Sequence, residues 1–120
     1  MKKRRRIGEQ ATERDIQNCI VDYLEKSKFM FVEINSGASA LYGPRSLHGR
    51  EGAPDIEVLL PECEDNGAGR VLWIEVKRPG GKLSKEQVRW HERAHDFGHE
   101  VLVVTDVDQV RERLCTEVPF

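Results

Sequence analysis

Apolar residues first recur with helical spacing just after residue 12. Thr12 is a suitable N-cap with Asp15 three positions on, and Ile16, Cys19, Ile20, Tyr23 and Leu24 follow at intervals of three and four. Glu13 falls on the same stripe as positions 16, 20 and 24, which places an acid on a core-facing side. Cys19 is expected in the core. Phe29 to Asn35, rich in aromatic and branched residues, predicts a strand. A long polar, glycine-containing stretch from Ser36 to Ala53 reads as a functional loop rather than a connector.

Two further strands follow, Asp55 to Leu60 (DIEVLL) and Val71 to Arg78 (VLWIEVKR), the latter ended by Pro79-Gly80-Gly81. Their short connections favour an antiparallel meander. Ser84 to Phe97 predicts a second helix: Ser84 and Gln87 form a capping box, Leu83 and Val88 a hydrophobic staple, and Gly98 stands where the helix should stop. The unbroken apolar run Val101 to Thr105 predicts an interior strand buried on both faces. Asp106 or Asp108 can cap a short last helix through Leu114. The order is α-β-β-β-α-β-α, an α/β domain with a central mixed sheet flanked by helices.

Composition narrows the chemistry. At 120 residues the chain is expected to form one domain over 11–120, preceded by a basic, flexible tail over 1–10. Three cysteines, odd in number and without a C-x-x-C pair, argue for a reducing compartment and against a zinc ribbon. The basic start runs into polar sequence, so neither a signal peptide nor a membrane span is expected. Without the five basic residues at positions 2–6, 14 Lys and Arg face 21 Asp and Glu, a body charge of -7. A polyanionic partner would have to be met by a local patch, by the tail, or through metal.

The candidate chemistry lies at strand ends. Alternation puts Glu75 and Lys77 on one face of their strand, with only Val76 between them. Asp55 opens the preceding strand after Ala53-Pro54, and in an antiparallel pair the start of one strand lies beside the end of the next. Two carboxylates converging there form an oxygen site suited to Mg²⁺ (or Mn²⁺), with the Val76 carbonyl available as a further ligand. The metal would polarise a phosphoryl oxygen and acidify water, while Lys77 positions that water or neutralises developing charge. Metal also answers the charge problem, because acids repel phosphate without it. The bland alternative is an edge ion pair, Glu75 with Lys77, and a turn aspartate after proline.

Pro54-Asp55 and Glu75-Val76-Lys77, set in this order of elements, resemble the PD-(D/E)xK nuclease superfamily and its restriction-endonuclease-like αβββαβ core. More narrowly, the chain resembles the VRR-NUC family. The similarity rests on Glu13, Gly52-Ala53-Pro54-Asp55, Trp73-Ile74-Glu75-Val76-Lys77, Leu83-Ser84-x-x-Gln87-x-x-Trp90 and Gly98, and runs from about residue 11 to 110. The resemblance implies a metal-dependent DNA endonuclease. Asp55, Glu75, the Val76 carbonyl and Glu13 would hold the metal, Lys77 would act at the attacking water, and Gln87 would hydrogen-bond into the site. Members made of this domain alone resemble homodimeric resolvases of four-way (Holliday) junctions. Branched DNA, a second copy and a cytoplasmic setting in a bacterial cell or phage-infected host are therefore expected, with no membrane and no nucleotide cofactor.

Other signals compete. Asn35, Arg50 and Lys82 would lie near the mouth of such a site and could touch DNA, although solvated surface is the default for isolated cations. His91-Glu92-Arg93-Ala94-His95 matches the H-E-x-x-H helix of zinc proteases, but its flanks are charged and few residues remain for a third ligand and a cleft. Its simpler role is a partly exposed helix face, as at a dimer contact. A catalytically inactive DNA-binding module of the same fold is the other alternative; it predicts a lost acid or lysine, yet Asp55, Glu75 and Lys77 are all present.

Overall fold

The computed structural model describes residues 11–34, 51–62 and 67–117. Helix α1 spans Glu13–Lys26, strands β1, β2 and β3 span Met30–Glu33, Ile56–Leu60 and Arg70–Val76, helix α2 spans Lys85–Asp96, strand β4 spans Glu100–Val104, and helix α3 spans Val107–Leu114. The four strands form one sheet in the order β1-β2-β3-β4. β1, β2 and β3 are an antiparallel meander, and β4 joins parallel to β3 after the α2 crossover. The predicted mixed α/β architecture is thus the one formed.

Each helix starts where its side chains can satisfy the free amides of the first turn. Thr12, Ser84 and Asp106 are the N-caps of α1, α2 and α3, and each completes a reciprocal box with Asp15, Gln87 and Gln109 respectively. On α1 the buried stripe is Ile16, Gln17, Ile20 and Leu24. It packs with Val110 and Leu114 of α3 over Ile56, Val58, Leu72, Ile74, Val76 and Val104, all at most 1% exposed except Ile16 and Gln17. Helix α2 lies on the opposite face, where Trp90 meets Trp73 edge-on at a centroid distance of 4.9 Å.

Three expectations need correction. Cys19 is exposed, because the stripe is centred between Ile16 and Gln17 and position 19 lies about 60° beyond its edge. Glu13 has the right angular position but is also exposed, at the first position of the helix. Among the described residues strand β4 lies at the edge of the sheet, and although Val104 is fully buried, Val103 is 43% exposed. Apolar periodicity reports which faces of a strand are covered; it says nothing about whether both edges are paired.

Helices α1 and α2 end in the same left-handed turn. In α2, Gly98 has φ 85°, Gly98 N–H donates to the His95 carbonyl and His99 N–H to the Ala94 carbonyl. In α1, Lys28 occupies the equivalent position at φ 62°, with Lys28 N–H donating to Glu25 and Phe29 N–H to Leu24. Buried Phe29 and Leu24 supply the apolar contact that accompanies such a turn. A lysine there carries a Cβ penalty that glycine avoids. Lys28→Gly should therefore stabilise the fold by about 1 kcal/mol, measured by urea unfolding; an unchanged or lower midpoint would show that the turn carries no such penalty.

Candidate active site

The sheet edge where β2 begins and β3 ends is irregular, and the irregularity creates the site. Asp55 stands just outside the β2 ladder. Its carbonyl accepts from Ile34 N–H at 2.8 Å, on the β1 side, while its own N–H donates to the Ile74 carbonyl at 3.0 Å, on the β3 side. With the ladder finished, the Val76 N–H is satisfied by the Asp55 side chain instead, at 2.7 Å from Oδ2. The approach to Asp55 is fixed by Gly52, whose φ of 82° suits glycine. A Cβ there would also collide with the Glu86 carbonyl in the first turn of α2. The backbone before Asp55 and the start of α2 are thereby held together.

Glu75 is 1% exposed and faces α2, as strand alternation requires. Its carboxylate comes within hydrogen-bonding reach of that of Asp55, so two acids crowd one corner. From α2, Gln87 Nε2 donates to Glu75 Oε2 at 3.1 Å and His91 Nε2 lies 3.0 Å from Oε1. Gln87 serves two ends at once, because its Oε1 accepts from Ser84 N–H at 2.8 Å. Lys77, only 9% exposed, sits close enough to act electrostatically on both Glu75 and His91.

Burial, the Asp55 charge and the hydrogen bond to Asp55 together push Glu75 up to about 8, with Lys77 opposing and Glu13 adding to the rise. Burial, then Lys77, lowers the His91 pKa from its ordinary value. The edge is therefore a pair of crowded carboxylates in which Glu75 holds its proton well above the usual carboxylate range.

Asp55, Glu75, Val76, Lys77 and Gln87 all come together as the sequence suggests. Glu13 is near enough to influence Glu75 but lies in an exposed first turn, across a cavity of about 420 Å³ that it lines with Arg78 and Lys82. Asn35 and Arg50 lie outside the described residues. His91 is the residue whose place the sequence did not disclose. Its signal was its position four residues after Gln87, on the same side of α2. The zinc-helix alternative loses its geometry here: His91 is turned into Glu75 while His95 is exposed. Among the described residues, no group of three or more His, Cys, Asp or Glu side chains converges as a metal cage.

The donor set nevertheless fits a hard divalent cation. Mg²⁺ is commonly held by one or two carboxylates, with waters and substrate completing the shell. The buried carboxylate of Glu75 and the half-buried one of Asp55 meet that need. Strand geometry also puts the Val76 carbonyl on the same side as its N–H, toward Asp55.

A stability test follows from Glu75. Its folded pKa lies above the ordinary carboxylate value of 4.5, so between about pH 4.5 and 8 the folded state binds more protons than the unfolded chain. Metal-free protein should lose stability as pH rises through that window, a trend read by urea unfolding at a series of pH values. Glu75→Gln should flatten it; an equal slope in both proteins would remove the assignment.

Comparison with known proteins agrees with this geometry. The model of the VRR-NUC domain matches residues 11–108. A protein of Acyrthosiphon pisum secondary endosymbiont phage 1, named "Putative nuclease p44", is 38% identical over 60 residues, covering 50% of this chain. The match spans 58% of that relative's length. A solved structure named "VRR_NUC domain" superposes with a TM-score of 0.60 at 28% identity, covering 88% of this chain and 96% of the other. Another, named "VRR_NUC domain protein", gives a TM-score of 0.64 at 17% identity over 89% of this chain and 88% of its own, a likeness of fold. The chain belongs to the VRR-NUC family of nuclease domains.

Proposed function

We propose that this nuclease domain is a Mg²⁺- or Mn²⁺-dependent endodeoxyribonuclease that hydrolyses phosphodiester bonds in branched DNA, preferring four-way junctions and acting as a homodimer. The observation that carries the metal-dependent part is the crowding of two carboxylates, buried Glu75 and half-buried Asp55, beside the buried Lys77. The preference for junctions and the dimer rest on the resemblance to family members made of this domain alone. A two-fold pair of sites would suit two cuts across a symmetric junction.

Asp55, Glu75 and the Val76 carbonyl would hold the cation, with Glu13 reaching it through water from the first turn of α1. When bound, the metal supplies Lewis-acid polarisation of the scissile phosphate and lowers the pKa of water. Lys77 orients the attacking water and offsets charge that develops on the phosphoryl oxygens. Gln87 holds Glu75 from α2. Arg78 and Lys82, on the cavity beside Glu13, offer exposed cations to the flanking DNA backbone on an otherwise acidic body.

The reading is tested with labelled four-way junction, flap, splayed and duplex DNA, each with Mg²⁺, with Mn²⁺ and with chelator. Cleavage should require the metal and favour the junction. Lys77→Ala should lower the cleavage rate on the order of 10²-fold or more while junction binding persists. Unimpaired cutting by that variant would overturn the mechanism, and binding without cleavage under every metal condition would favour an inactive DNA-binding module. Sedimentation of the free protein checks the dimer; a monomer making paired cuts would count against it.

A further inference from the structure

Glu75 is held from α2 at both carboxylate oxygens, and the two grips differ in origin. Gln87 is oriented by its capping role: Ser84 N–H occupies its Oε1, leaving Nε2 to face Glu75. His91 has no such local duty. It stands one helical turn further along, its side chain is 13% exposed, and its ring meets Trp90 edge-on at 6.4 Å and 84°. The outcome is one hydrogen-bond partner from α2 for each oxygen of a single buried carboxylate, at 3.1 Å and 3.0 Å.

We propose that His91 is a positioning residue for the metal: with Gln87 it fixes the plane of the Glu75 carboxylate and so sets how tightly the Asp55–Glu75 pair takes a divalent cation. The inference rests on the metal-dependent reading above and adds a determinant of metal affinity to it. The terminal torsion of a glutamate is broad and two-fold, so one hydrogen bond leaves the carboxylate free to swing. A donor on each oxygen removes that freedom and leaves the remaining lone pairs pointing toward Asp55. An apolar ring of similar size would fill the space between α2 and β3 and orient nothing.

The test uses purified full-length protein and Mn²⁺ alone, with affinity measured by calorimetry in the absence of DNA. His91→Phe should weaken Mn²⁺ binding roughly 10–100-fold, the range seen when groups that orient metal ligands are removed. Its half-saturating Mn²⁺ for junction cleavage should rise in parallel, with a near wild-type rate at saturating metal. His91→Gln keeps a donor and should recover most of the affinity. Unchanged Mn²⁺ affinity in His91→Phe would reduce His91 to packing and overturn the proposal. So would a rate that stays low at saturating metal with normal affinity, which would make His91 act on the substrate directly. If circular dichroism shows that the phenylalanine variant does not fold, His91→Ala is compared with His91→Gln by the same criteria. Failure of the wild-type protein to bind Mn²⁺ would overturn the metal-dependent reading itself, and is read from that arm alone.

Discussion

Everything about this sheet edge follows from one carboxylate, Glu75, placed where water cannot screen it, with a second, half-buried Asp55 beside it. An isolated buried carboxylate is costly to ionise, and a second one beside it raises the cost. Glu75 answers by holding a proton and by drawing partners from three directions: Asp55 across the strand gap, Gln87 and His91 from α2, and the charge of Lys77. None of these alone defines a site. Together they make an oxygen-rich corner that a divalent ion would fit, and on the proposed reading that ion would reconcile the acidic body of the chain with a phosphate substrate.

The surrounding fold exists to keep that corner shut. The Trp73–Trp90 contact seats α2 on the sheet, and Gly52 lets the backbone before Asp55 press against the first turn of the same helix. Gln87 then links the start of the helix to the acid it serves. On the opposite face, α1 and α3 bury the alternate residues of the same strands, so Ile74 and Val76 anchor the backbone on which Glu75 and Lys77 ride. Bidentate pairing of Arg113 with Glu100, at 2.7 Å for both contacts, ties α3 to the start of β4.

What could be seen in the sequence was whatever is decided locally. The capping boxes at Thr12 and Ser84 and the stop at Gly98 are written within a few residues, and all three stand in the structure. Strand alternation likewise placed Glu75 and Lys77 together. The failures were tertiary. Glu13 and Cys19 were misplaced because a helical stripe has a centre and an end that only packing reveals, and β4 because its apolar run does not record its missing neighbour. In the sequence His91 reads as part of a partly exposed helix face, whereas its partner is Glu75 on another element, shared with Gln87 one turn earlier. Asn35 and Arg50 lie outside the described residues, so their part in DNA contact stays a proposal.

The bond from Val76 N–H to Asp55 has an evolutionary consequence. Because Asp55 also closes the end of a strand, drift at this position is filtered first by folding and only then by chemistry. Alanine would strand a partly buried amide, a loss of about 1–3 kcal/mol. Asparagine would still present an oxygen to that amide while giving up the charge. A lineage that abandons cleavage but keeps the domain thus has an easy exit through asparagine at position 55, and such a relative would look intact in every respect except the one that matters.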